Sequence, residues 1–433
     1  VAVSALELFT SDSSTDHLDF APFLTRARAE RERGLDVPAR IALGAYLVAR
    51  LVDRRLTITD NPDDIEGFRW QLESTRKFLV ELPTEETEVA HTRGIVDSVS
   101  SEPEHRDAIL RMALVAYAYY LEHEGRFEEA LDILRLGGRT YRDAIPPVDA
   151  ATMALFVARL NRMLARWEPA NLSYNLAEQA GVETRDVGTV MLARIGKANV
   201  LRGQGNLPTS REILELVVAE TGSPELADVH GRALSDLSVV LDRQGNLHDA
   251  LLTRYRALLS LRDELQRTRV LGDLGIGLRA VGAYDAARQC YNMVLSSDSS
   301  FIIRANTCLE LMEMESAVGN RIAFERFRQE ARTFEARMPP SMAIDYRYKV
   351  GIGFARFGKD SRARAVLREA LGMAEERRLN EWYFRVDRVL RNLEVCHDEQ
   401  DLKVTAAEAI DMAPAVAEVS AGLRELVAAG AYA

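Results

Sequence analysis

The sequence predicts an all-α protein, a right-handed superhelical solenoid of antiparallel helix pairs. Two observations carry that prediction. A small residue returns every 37 to 40 positions, at Gly125, Ala165, Gly205, Gly245, Gly282, Gly319 and Gly358. Five residues beyond it a second small residue follows in six of the seven units, at Ala130, Ala170, Ser210, Ala250, Ala287 and Ala363. Self-similarity at this period means stacked hairpins rather than one globular core, and it frees a 433-residue chain from the size limit of a single core.

The elements read as follows. Residues 1–35 form a polar N-terminal tail with a short helix in the charged stretch RARAERERG, ended by Gly34 and Pro38. Residues 36–100 hold a degenerate helical pair serving as an N-terminal cap, with turn and cap signals at Asn61, Pro62 and Asp63. Seven repeats occupy 101–378. In the first, Leu114, Tyr117, Ala118 and Leu121 share one face of a helix, Gly125 turns the chain, and Glu128 and Glu129 open a second helix at its positive end. The small positions let neighbouring backbones approach, and Gly at the turn adopts angles that a Cβ strains. The sixth unit departs from this grammar, with Arg321 at an apolar position and Phe324 at the small one. Residues 379–433 read as C-terminal capping helices, the Ala-rich part interrupted near Pro414.

These residues resemble the tetratricopeptide repeat. Its pattern is best matched by Leu271, Leu274-Gly275, Leu278, Ala287 and Tyr291, and again by Leu114, Tyr117-Ala118, Leu121, Ala130 and Leu134. The units here are longer than the family's 34 residues, which implies longer helices or loops. The resemblance implies a non-catalytic protein–protein interaction scaffold that binds a peptide or partner segment, acidic in character, in a groove lined by the first helix of each unit. It also places the clamping residues, Arg159, Arg162, Asn199, Arg202, Arg243, Arg279 and Arg356, on that helix face. A row of forked donors matches a row of carboxylates. The bland alternative is that these arginines are solvated or paired with Asp236, Asp242 and Asp273. A second functional reading, an effector- or peptide-sensing module of a bacterial transcriptional regulator, rests on likeness to helical arrays of that kind. It gains from a chain that opens on Val1 rather than Met, and it loses because no helix-turn-helix is evident.

Composition narrows the partners. A net charge of −11 and an isoelectric point near 5.4 argue against direct nucleic-acid binding. No apolar run reaches the roughly 20 residues of a membrane span, and no signal peptide is visible, so the expected address is the cytoplasm. Only five of the 55 basic residues are Lys, the usage of GC-rich bacterial genes. Three cysteines are too few for a disulfide framework. No metal site is expected, because the His and Cys residues lack ligand spacing. No cofactor is expected either. Gly272, Gly275, Gly277 and Gly282 lie inside a helical repeat rather than between a strand and a helix, as a phosphate loop would. No nucleophile motif points to an enzyme. Trp70, Trp167 and Trp382 read as packing residues, and self-association through the terminal helices is left open.

Overall fold

A computed structural model describes residues 19–100, 106–141, 145–297, 299, 301–335, 338, 340–376, 379–395 and 406–429, which are helical apart from turns and short connections. No strand occurs among them. The first 18 residues of the expected tail, and Cys396 and His397, lie outside the described residues. The chain divides into two compact units, residues 1–206 and 207–433.

Unit one contains α1 (Ala21–Glu32), α2 (Asp36–Thr57), α3 (Pro62–Val80), α4 (Thr87–Val99), α5 (Arg106–His123), α6 (Phe127–Arg139), α7 (Pro147–Met163), α8 (Trp167–Thr184) and α9 (Val187–Gly203). Unit two contains α10 (Leu207–Glu220), α11 (Ala227–Arg243), α12 (Leu247–Ser260), α13 (Glu264–Ala280), α14 (Tyr284–Ser296), α15 (Phe301–Ala317), α16 (Arg321–Thr333), α17 (Pro340–Arg356), α18 (Asp360–Glu376), α19 (Asn380–Val395) and α20 (Ala406–Ala428). First helices of successive repeats also meet one another, α7 with α9 in unit one and α13 with α15 and α15 with α17 in unit two.

Every predicted turn residue has a left-handed backbone. The six glycines have φ between 69° and 85°, and Ala165 has φ 55°. A Cβ at those glycines would meet nothing within 4 Å, so the demand there is conformational and not steric. Ala165 therefore carries strain that its six counterparts avoid. Ala165→Gly should stabilise the protein by about 0.5–1 kcal/mol, the left-handed penalty less the extra freedom of an unfolded glycine. Urea unfolding of the two proteins checks it.

The second small positions are buried, from 0% exposed at Ala130, Ala170, Ser210, Ala287 and Ala363 to 3% at Ala250. Phe324 is also fully buried, and its bulk is matched across the hairpins by Gly353 on α17. A Cβ at Gly353 would lie 2.3 Å from the Phe324 ring. Gly275 makes the same room for Tyr291, whose ring a Cβ would approach to 2.6 Å. Size is exchanged between facing helices while the density is kept. The long period is carried largely by the first helices, which are 17 residues from α7 to α17 at every odd number.

Three stretches differ from the sequence reading. The segment 36–100 holds three helices rather than a pair, and Pro38 sits in the first turn of α2, where a missing N–H is tolerated. The unforeseen helix is α4, whose buried face carries Glu88 and Thr92 among Val89, Ile95, Val96 and Val99 and so breaks the apolar period. Helix α1 is docked, with Phe20 and Phe23 fully buried against α2 and α6. Trp70 is 72% exposed and packs nothing away. At the other end, α20 runs through Pro414 as one helix. It is α19 that packs on α17 and α18. Helix α20 lies instead across α12 and α14, burying Ala415, Val419 and Leu423, with Gly422 set against the Tyr255 hydroxyl.

Candidate functional site

The first-helix face of unit one is built on α5, α7 and α9. On α5 the exposed residues Ile109, Met112 and Tyr119 fall on one stripe, set by the helical spacing of three and four. Helix α7 adds Arg159 and Arg162, and α9, in contact with α7, adds Asn199 and Arg202. Arg159 is held by Glu122 of α5 through two parallel bonds, Nε to Oε1 at 2.5 Å and Nη2 to Oε2 at 2.7 Å. Its guanidinium also lies over the Phe156 ring, 4.7 Å from the centroid. Arg162 is half-buried, and its Nε is shielded from solvent without a hydrogen-bond partner. Asn199 is 9% exposed and Arg202 half-buried.

The remaining predicted residues lie in unit two and do not form one row. Arg243 is exposed at the end of α11. Arg279 on α13 reaches Glu310 and Glu313 of α15, each at 3.5 Å. Arg356 on α17 donates to Ser316 Oγ at 2.8 Å and to the Glu313 carbonyl. The acids that take up the arginines are thus mostly Glu122, Glu310 and Glu313, whereas Asp242 faces Arg254 at 3.7 Å.

Unit two carries a buried ionic cluster that sequence reading missed. Lys349 on α17 is 3% exposed. Its ammonium group lies 2.5 Å from Glu310, 3.0 Å from Asp345 and 3.5 Å from Glu313. Burial lowers the Lys349 pKa, but Glu310, Asp345 and Glu313 reverse this and hold it charged. Burial likewise pushes Glu313 up, and Lys349, then Arg279 and Arg356, bring it below its ordinary value. Asp345 stays above its ordinary value, because burial outweighs Lys349. One signal was available. The residue nine positions before the turn glycine is Asp236, Asp273, Glu310 and Lys349 in four successive units, a charged column at the repeat period.

Among the described residues no three His, Cys, Asp or Glu side chains are grouped to hold a metal ion. Cys290 and Cys308 are buried, and burial pushes the Cys308 thiol up to about 12. No described helix is long and apolar enough to cross a membrane.

No family model and no curated relative matches the sequence. Solved structures with similar helical arrangements include a Rap protein complexed with competence and sporulation factor, at 11% identity and a TM-score of 0.47, covering 79% of this chain and 99% of the other. NprR in complex with its cognate peptide NprX matches at 10% identity and a TM-score of 0.46, covering 82% of this chain and 97% of NprR. The apo form of the quorum sensor NprR from B. thuringiensis matches with the same values.

Proposed function

We propose that this chain is a non-catalytic interaction scaffold that holds a peptide or a partner segment of acidic character on the α5–α7–α9 face of unit one. The observation that supports this most directly is the exposed apolar stripe of Ile109, Met112 and Tyr119 on α5, on the same first-helix face as the half-buried guanidinium of Arg162 on α7. An apolar stripe beside forked donors suits a segment that carries apolar side chains together with a carboxylate. Arg159 adds a planar cation already oriented by Glu122 and by the ring beneath it.

The test is the double variant Arg162→Glu with Arg202→Glu, used as bait against the partner that wild-type protein retains. Binding should fall by about 100-fold or more, the scale of truncating and reversing a hydrogen-bonded charge at a buried contact. Far-ultraviolet circular dichroism should be unchanged. Undiminished affinity would remove the acidic-segment reading, and the wild-type interaction should weaken as salt rises.

A further inference from the structure

Helix α5 is apolar on two faces, and the described residues cover one of them. Its inward face packs Leu110, Leu114, Tyr117, Ala118 and Leu121 into the core. Its outward face is Ala108, Ile109, Met112, Ala116, Tyr119 and His123, all exposed and none of them an acid, a lysine or an arginine. Met112 is 74% exposed. Single exposed hydrophobic residues are ordinary on a protein surface, but an unbroken row is not. Helix α13, the first of a repeat in unit two, shows the ordinary case, with Glu264, Arg269 and Asp273 among its exposed residues.

The spacing of the row is specific. Ile109, Met112, Ala116, Tyr119 and His123 follow one another by three, four, three and four residues. That is the 3.5-residue repeat of a seam along which a second helix lies, narrower than the arc a helix turns to a globular core. At 1.5 Å per residue the seam runs about 21 Å, or about four turns. Helix α7 supplies a second wall. Glu122 binds Arg159, and Tyr119 stacks on Phe156 with ring centroids 4.3 Å apart, so residues 37 apart in the chain stand level on the two helices. That offset brings Val148, 64% exposed, to the Met112 turn and exposed Thr152 to Ala116. Ala116 and Thr152 are short, which lets a helix come close at mid-groove. Val148, Thr152, Leu155, Arg159 and Arg162 succeed one another by four, three, four and three residues, so this wall is apolar at one end and cationic at the other. Helix walls have spent their N–H and C=O groups on themselves and offer nothing to the backbone of an extended segment. A helical segment satisfies its own backbone and presents a single stripe.

We infer that the α5–α7 groove of unit one receives an amphipathic α-helix of a partner protein, about four turns long, with apolar side chains on a matching seam and carboxylates at the end beside Arg162. This deepens the segment-holding reading, on which it rests, by fixing the conformation of the segment.

Three pools of fluorescein-labelled peptides of that length test it by fluorescence anisotropy with the full chain. In the first, Leu, Ile, Met and Phe are randomised at the seam positions of an Ala, Glu and Lys helix whose last turn holds two Glu. In the second the same residues are scattered so that no seam forms. The third keeps the seam and carries a central Pro, which breaks the helix. Wild-type protein should bind the seam pool about tenfold more tightly than either other pool, the scale of burying one large apolar side chain. Met112→Glu should abolish that advantage, and Ala116→Glu should do the same. Neither should lower the thermal midpoint, since both side chains face water. Changing the two Glu of the last turn to Gln should weaken binding to wild-type protein and not to Arg162→Glu. Equal loss in both proteins would overturn the placing of the carboxylates.

Equal binding of the seam and scattered pools overturns the inference. Tightest binding of the proline pool overturns it while sparing the segment-holding reading, and binding of no pool overturns both. Seam binding that survives both glutamate variants puts the helix elsewhere, and a lower midpoint for both makes the row part of the fold. Either result overturns the inference. So does occupation of the row by a second copy, seen as a dimer in ultracentrifugation that Met112→Glu dissociates, or by phosphatidylglycerol vesicles that wild type sediments with and Met112→Glu does not.

Discussion

Ala287→Arg should unfold the array around α14. Ala287 is fully buried in a cluster with Leu271, Leu274, Cys290, Leu309 and Met312, so its methyl group is surrounded by side chains from neighbouring helices. Arginine there adds a long stem to a space already filled and carries a charge into it with no acid arranged to receive it. Overpacking alone costs about 1–3 kcal/mol, and a buried unpaired charge adds several more, so the total exceeds about 4–5 kcal/mol. That is comparable with the whole stability of an ordinary domain. The damage should stay near the site at first, because each hairpin depends on its neighbours. Hydrogen exchange should show lost protection in α13, α14 and α15. Asn292→Arg, an exposed site on the same helix, is the control and should melt like wild type. A wild-type melting curve for Ala287→Arg would sink the account of the small positions.

Arg26→Met should release helix α1. Arg26 is 13% exposed at its side chain and joins two buried acids, Glu88 on α4 through Nη2 at 2.6 Å and Glu129 on α6 through Nε at 2.7 Å. Arg126 shares Glu88 at 2.6 Å, and the Tyr117 hydroxyl donates to it at 2.9 Å. Burial pushes Glu88 up, but Arg26 and Arg126 outweigh it and hold the carboxyl below its ordinary value. Glu129 stays above its ordinary value, since burial outweighs Arg26 there. Methionine keeps the apolar stem and removes the charge. It leaves Glu129 buried and unpaired, at a cost of about 3–5 kcal/mol. The double variant Arg26→Met with Glu129→Gln should recover part of this, which a mere loss of packing would not allow. A pH effect follows. The Glu88 contribution is present above the ordinary glutamate pKa and is lost as pH falls through the depressed folded value. Without Arg26 that value rises, so acid unfolding should begin at a higher pH. An unchanged onset, read by circular dichroism, would show that Arg26 does not hold the network.

The repeat was legible because its causes are local and recur. A left-handed turn favours Gly, and a close helix crossing favours a small residue on one side or the other, so Gly282 and Ala287 announce themselves in the chain. Helix α4 stayed hidden because Glu88 and Thr92 occupy its buried face, where only partners far along the chain make a charge tolerable. For the candidate sites, the sequence placed Arg159, Arg162, Asn199 and Arg202 on neighbouring first helices but could not tell that Arg159 is already bound by Glu122.

What the sequence by itself determined is the unit: hairpin length, turn and inward face, all written in the preferences of single residues and their nearest neighbours. Tertiary structure alone decided the partners, joining Arg159 to Glu122, Arg26 to Glu88 and Glu129, Lys349 to Glu310, and α20 to α12 and α14. The physical reason is range. Backbone angles and helix faces are settled within a turn or two of chain, whereas charges 37, 39, 62 or 103 residues apart pair only when stacking has set their helices side by side.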